Sequence, residues 1–263
     1  MINRKDYPHP VKQLITHGAL DGGPFEPEQW FDYVGHYGLS EIDVPPLLTL
    51  MTEARRVNKK RAKEFYAPIH AVSALGQLGD MAADSGLTQR LDQHEDDDLV
   101  ENVVAALTMV GPRALDRLKE YYYHPFTHPD SRSRALEAIW FYATRHPEQR
   151  DPCVQLLMQA LESYRRQATW LNGFIIYYLT RLKATEAAAL ISQAFDAGQV
   201  QDDISGSWAA VQVALGLATE ADFSPDELLS AEDRQRQQAQ GESTAKSTPA
   251  KRPLKLEGIG SAS

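Results

Sequence analysis

The sequence predicts an all-α protein, arranged as a right-handed α-solenoid of about five to six antiparallel helix pairs. Three observations carry that expectation. Apolar residues recur at three- and four-residue spacing from about Pro10 to Leu217, the period of helices that bury one face. Runs of strict alternation, which mark half-buried strands, are missing. Helix-stopping chemistry falls at short intervals: Asp21-Gly22-Gly23-Pro24, Gly111-Pro112, His128-Pro129-Asp130, His146-Pro147 and Ala197-Gly198.

Between those breaks the spacing predicts helix pairs near 10–19 and 27–37, 45–64 and 68–79, 84–94 and 98–110, 112–123 and 131–145, 150–164 and 168–182, then 184–197 and 204–217. The second helices share a register. Leu75, Leu107, Ile139, Tyr177 and Val213 follow one another at 32, 32, 38 and 36 residues, separations typical of helix-pair repeats. Four residues before each lie Ala71, Val103, Ala135, Gly173 and Ala209, all small or slim. A pair of this size cannot bury its apolar face alone, so it must stack on its neighbours. The domains expected are an N-terminal helix pair over 1–44, a repeat domain over 45–230 and a polar tail over 231–263.

Ser224-Pro225-Asp226-Glu227 combines a hydroxyl N-cap, Pro at the first helical position and a carboxylate at the third, a capping box that opens one last helix. From Ala231 the chain turns to Gln, Ser, Thr, Ala and Lys, and too few apolar groups remain to offset the ordering entropy. A disordered tail is expected there. Leu254-Lys255-Leu256 within it is a candidate docking motif, against the simpler reading of a featureless terminus.

The segments YAPIHAVSALGQLGD, ENVVAALTMVGPRALDRL and SRALEAIWFYATRHPEQRDPCVQLLMQAL resemble HEAT-like repeats, in particular the PBS-lyase HEAT-like variant. The first is similar to bacterial proteins whose repeats begin with a Pro-Ile-His-Ala helix. The resemblance covers roughly residues 45 to 217. It implies a superhelix whose second helices line a concave, macromolecule-binding side. Some of those relatives carry a C-terminal metal-binding Cys motif; with no cysteine after Cys153, that activity does not transfer.

Hydrophobic residues make up 43% of the chain and charged residues 24%, which excludes disorder as a description of the whole. The formal net charge is −9, and six basic against four acidic residues from Ala231 onward leave about −11 on the rest. Such a body repels phosphate backbones, which makes nucleic acid an unlikely partner. The opening MINRKDYPHP has no apolar core or cleavage site, and no apolar run of membrane-spanning length occurs. A cytoplasmic protein without membrane contact is expected. Cys153, the single cysteine, fits a reducing compartment. It reads as a small buried hydrophobe, although its place after Asp151-Pro152 leaves a dipole-lowered thiol as the alternative.

Several constellations are candidates for binding. Arg55, Arg56, Lys59, Lys60 and Lys63 share one helix face, a basic stripe suited to phosphates or an acidic peptide, or else a solvated surface. Asp92, Glu95, Asp96, Asp97, Asp98 and Glu101 lie about one repeat later, where complementary charge accounts for both clusters better than a divalent cation does. His124 and His128 are four apart, but Pro125 and Pro129 point to helix termination rather than zinc. Trp140, Phe141, Tyr142, Trp170, Phe174, Tyr177, Tyr178 and Trp208 concentrate in the later second helices, mostly as core, with some available as partner anchors.

Five residues before the register positions stand His70, Asn102, Arg134, Asn172 and Trp208. Two readings of this row are open: the edge of a binding groove, or an internal ladder of hydrogen bonds between repeats. No Walker loop, dinucleotide fingerprint, His-Glu-x-x-His or Gly-x-Ser-x-Gly occurs. The expected function is a non-catalytic scaffold for another protein or peptide, with no catalytic residue, cofactor or metal. A bilin lyase or chromophore-handling chaperone is the alternative that the family resemblance implies, and nucleic-acid binding through helix 55–63 is the third.

Overall fold

A computed structural model describes residues 2–53, 59–79, 81–92 and 97–237, and the side chains of these except residues 59–62, 81 and 82. The described residues form helices and turns with no strand. In chain order the helices are α1 (His9–Thr16), α2 (Tyr33–Tyr37), α3 (Val44–Met51), α4 (Ala67–Leu78), α5 (Met81–Arg90), α6 (Asp97–Leu107) and α7 (Arg113–Tyr123). They continue as α8 (Pro129–Arg145), α9 (Arg150–Leu161), α10 (Thr169–Arg181), α11 (Ala188–Asp196), α12 (Asp202–Ser205), α13 (Trp208–Leu215) and α14 (Pro225–Leu228). None is long and apolar enough to cross a membrane.

Local sequence explains where the central helices start and stop. Pro68 sits in the first turn of α4, where a missing N–H costs nothing, and α4 ends at Gly79 with φ +62°, the left-handed conformation that favours glycine. Asp97 and Asp98 open α6 against the positive end of its dipole. His128 caps α8 by accepting from the Asp130 amide, Pro129 fills its first position, and Pro147 follows its end.

The core is laid down by a succession of neighbours. α4 packs on α6, α6 on α8 and α8 on α10, which in turn meets α12 and α13. α5, α7 and α9 cover this row from the other side. Ala71, Val103, Ala135 and Gly173 of the small-residue register are buried in it. Gly76 brings α4 and α6 closest: a Cβ there would lie 2.9 Å from Ala106 Cα, inside any real contact.

The structure departs from the expected helices in three places. A single helix over 45–64 is not formed: α3 ends at Met51, and a separate 3-10 helix spans Lys59–Tyr66. The Thr49 and Thr52 hydroxyls donate to the Pro45 and Thr49 carbonyls, side-chain bonds that compete with helix propagation. The expected helix 204–217 is split at Gly206 and Ser207, because the Ser207 hydroxyl accepts from the Ala210 amide and starts α13 afresh. The N-terminal segment forms three 3-10 turns, at Arg4–Asp6, Pro27–Gln29 and Glu41–Asp43, and the short α1 and α2, both packed on α4. Between them it reaches α8, where Phe25 meets Phe141 edge-on at 5.1 Å and Glu28 pairs with Arg145. The capping box at Ser224 is formed as expected, but the disordered tail expected from Ala231 is corrected for its first residues: 231–237 are helical, with the Ser230 hydroxyl accepting from the Asp233 amide. The tail from residue 238, with Leu254-Lys255-Leu256, lies outside the described residues.

Candidate partner-binding groove

On α8, positions 134, 137, 141 and 145 follow at helical spacing and present Arg134, Glu137, Phe141 and Arg145 on one side. On the adjacent α10, Trp170, Phe174 and Tyr178 repeat every fourth residue. Asp130, Ser133, Arg134 and Glu137 of α8 and Trp170, Phe174 and Tyr178 of α10 line a cavity of about 490 Å³. This volume lies in the range of ligand-holding clefts, about 300–1,000 Å³.

Its apolar wall is a chain of rings. Trp140 stacks on Tyr178 at 5.5 Å and 21°, Tyr178 on Phe174 at 6.3 Å and 21°, and Trp170 meets Phe174 edge-on at 6.2 Å. Trp170 and Phe174 are half-buried, and Tyr178 is buried. Burial, with Glu137 and Tyr177 nearby, pushes the Tyr178 phenol well above its ordinary range. Trp140 Nε1 is buried without an acceptor among the described residues.

The polar wall is dominated by carboxylates. Arg134 reaches Asp97 of α6 at 2.8 Å and Glu137 of its own helix at 3.6 Å. Burial raises the Glu137 carboxyl above its usual value; Arg134 opposes the shift and Glu101 reinforces it. Asp130 adds a further, exposed carboxylate at the rim.

Of the row His70, Asn102, Arg134, Asn172 and Trp208, the structure brings only Arg134 to this groove. His70, Asn102 and Asn172 are buried and cannot form a groove edge. His70 bonds the Tyr33 hydroxyl and the Gly18 carbonyl, Asn102 the Asp98 carbonyl of its own helix, and Asn172 the Tyr164 and Gln199 carbonyls. Buried polar groups must be satisfied, and these are satisfied by neighbouring turns. Trp208 is half-buried at the start of α13, its ring against Phe195 of α11 at 5.7 Å.

Sequence reasoning missed a second set of such ties at the opposite ends of the helices. Gln77 holds the Phe31 carbonyl and the Tyr33 amide, His146 holds the Thr108 carbonyl, and Arg150 holds the Leu182 carbonyl. The signal available was a polar residue near the ends of α4 and α8, Gln77 and His146, with Arg150 opening the next helix.

In the basic stripe, the Arg55, Arg56, Lys59 and Lys60 side chains lie outside the described residues, and Lys63 is exposed. In the acidic cluster, Asp92 accepts from the Tyr121 hydroxyl and Asp97 pairs with Arg134; Glu95 and Asp96 lie outside the described residues. Among the described residues no group of three or more His, Cys, Asp or Glu side chains is placed to hold a metal ion. Cys153 is a buried residue of α9, which begins at Arg150. The dipole-lowered thiol is corrected: burial pushes this thiol up to about 12.

A second cavity, of about 460 Å³ between α5 and α7, is flanked by Phe126, which is 89% exposed. Its charged groups are mutually engaged, Arg117 with Glu120 at 3.0 Å and Tyr121 with Asp92. The described residues thus form an all-helical protein in which α8 and α10 line an aromatic and acidic cavity. Compared with protein-family models, curated protein sequences and solved structures, the chain gives no match in any of the three.

Proposed function

We propose that this chain is a non-catalytic scaffold or adaptor that holds a partner protein or peptide in the α8–α10 groove. In this reading it is a cytoplasmic, HEAT-like, right-handed solenoid of about five to six antiparallel helix pairs, and the groove lies on its concave side. The side-by-side succession of α4, α6, α8 and α10, covered by α5, α7 and α9, supports the architecture. The observation that carries the function is the half-buried Trp170 and Phe174 pair beside the Arg134 and Glu137 charges. Large aromatic anchors next to partly desolvated charges are the residue types that dominate binding energy at protein interfaces. Asn172 serves this role indirectly: it holds the Tyr164 and Gln199 carbonyls and so helps fix α10, one of the two helices that carry the groove.

The test is affinity capture from the native cell with the full chain and its Trp170→Ala and Phe174→Ala variants, identified by mass spectrometry. Both variants should keep the melting temperature within a few degrees and lose the captured partner. An unchanged partner set in both would overturn the groove, and a compact globular profile in small-angle scattering would overturn the solenoid.

A further inference from the structure

We propose that the α8–α10 pocket receives a cationic side chain, the lysine or arginine of a basic partner segment. The inference rests on the reading of this groove as a partner-binding surface and adds the chemistry of what it takes. Three rings, Trp170, Phe174 and Tyr178, form the apolar wall. Aromatic faces carry negative electrostatic potential and attract cations. Opposite them stand Glu137 and Asp130, with Asp97 and Glu101 of α6 close enough to act on the same side. The pocket lining itself holds two carboxylates, Glu137 and Asp130, and one cation, Arg134, whose closest ion pair is with Asp97 outside the lining.

Arg134 does not complete the pocket. Its guanidinium bonds Asp97 of α6 at 2.8 Å and forms only a looser ion pair with Glu137 at 3.6 Å, longer than a hydrogen bond. Ser133 donates its hydroxyl to the Asp130 carbonyl of its own helix, so it supplies no donor to an incoming group. An anionic ligand would meet an excess of carboxylates, and an apolar one would strip water from Glu137 without replacing it. A lysine or arginine head group both pairs with Glu137 and lies along the rings, while its methylene stem covers Trp170 and Phe174.

The experiment uses the full chain, ¹⁵N-labelled at the tryptophan indoles, with the Trp170 signal assigned through Trp170→Phe. Nα-acetyl-lysine methylamide and Nα-acetyl-arginine methylamide are titrated, with Nα-acetyl-norleucine methylamide as the neutral isostere. The expected result is a saturable shift of the Trp170 indole with either cation and none with norleucine. Glu137→Gln should weaken cation binding at least tenfold. Asp130→Asn, an exposed change that leaves the fold intact, should weaken it severalfold. The proposal is overturned by the absence of a saturable shift with both cations, by equal binding of norleucine, or by unaltered affinity in both carboxylate variants. Partner capture that depends on Trp170 together with equal binding of norleucine leaves the groove standing and removes its cation preference. Cation binding without any captured partner does the opposite.

Discussion

The Tyr33 hydroxyl donates to His70 Nδ1 at 2.6 Å while His70 Nε2 meets the Gly18 carbonyl at 3.0 Å, so one imidazole ties α2 and the end of α1 to the first central helix. Because a carbonyl only accepts, Nε2 carries the proton and Nδ1 is the acceptor. His70 is fully buried, with the His17 ring edge-on at 4.9 Å.

This neutral tautomer makes stability depend on pH. Burial, reinforced by His17 and opposed by Gly18 and Asp21, pushes His70 from 6.5 down to about 4. The unfolded chain therefore takes up the proton first. Stability from this group is complete above about pH 6.5, falls as pH drops towards about 4, and changes no further below it, a loss on the order of 3 kcal/mol. Denaturant midpoints measured across that window should fall steeply in the native protein and less steeply in His70→Gln. Equal slopes would show that His70 is not the sensing group.

Asn172 and Arg134 occupy equivalent register positions and should behave oppositely. Asn172 donates to the Tyr164 carbonyl at 2.9 Å and the Gln199 carbonyl at 2.6 Å, and accepts from Gln167. Asn172→Ala leaves buried acceptors without donors and should cost about 2–3 kcal/mol. The Arg134 side chain is 30% exposed, and its removal should cost less than about 1 kcal/mol while altering what the groove binds. Paired thermal melts of the two variants check the contrast.

Close approach between α4 and α6 should make Gly76 intolerant of even one methyl group. The added Cβ would lie 2.9 Å from both Cα and Cβ of Ala106, so Gly76→Ala forces the helices apart and should destabilise by about 1–3 kcal/mol. Chemical denaturation would show this directly, and a neutral or stabilising effect would contradict the tight packing.

Cys153 should be chemically silent in the folded protein. It is completely buried, and its thiol is raised to about 12 by the loss of solvent; nucleophilic attack needs an exposed thiolate. A colorimetric thiol reagent at neutral pH should react with less than a tenth of the protein until denaturant is added. Prompt native-state reaction would place the thiol at the surface.

Much of this architecture was legible in the sequence because it depends on local chemistry. The 3.6-residue apolar period, Pro68 and Pro129 in first turns, Gly79 after α4 and the Ser224 capping box each act within a few residues of themselves. The breaks at residue 52 and at Gly206 were harder to read, since single hydroxyl-to-backbone bonds at Thr49, Thr52 and Ser207 decide them.

The sequence by itself determined that the chain is helical, which faces are apolar, and that a row of residues, four of the five polar, precedes the second-helix register positions. Tertiary structure decided what that row does. His70, Asn102, Arg134, Asn172 and Trp208 look alike in spacing, but whether a polar group meets water or a neighbouring carbonyl depends on where distant turns come to rest. Gly18 lies 52 residues from His70, and Gln199 lies 27 from Asn172. The groove has the same origin: Trp170 and Phe174 face Glu137 because α8 and α10 pack side by side, a non-local arrangement that the helical period does not encode.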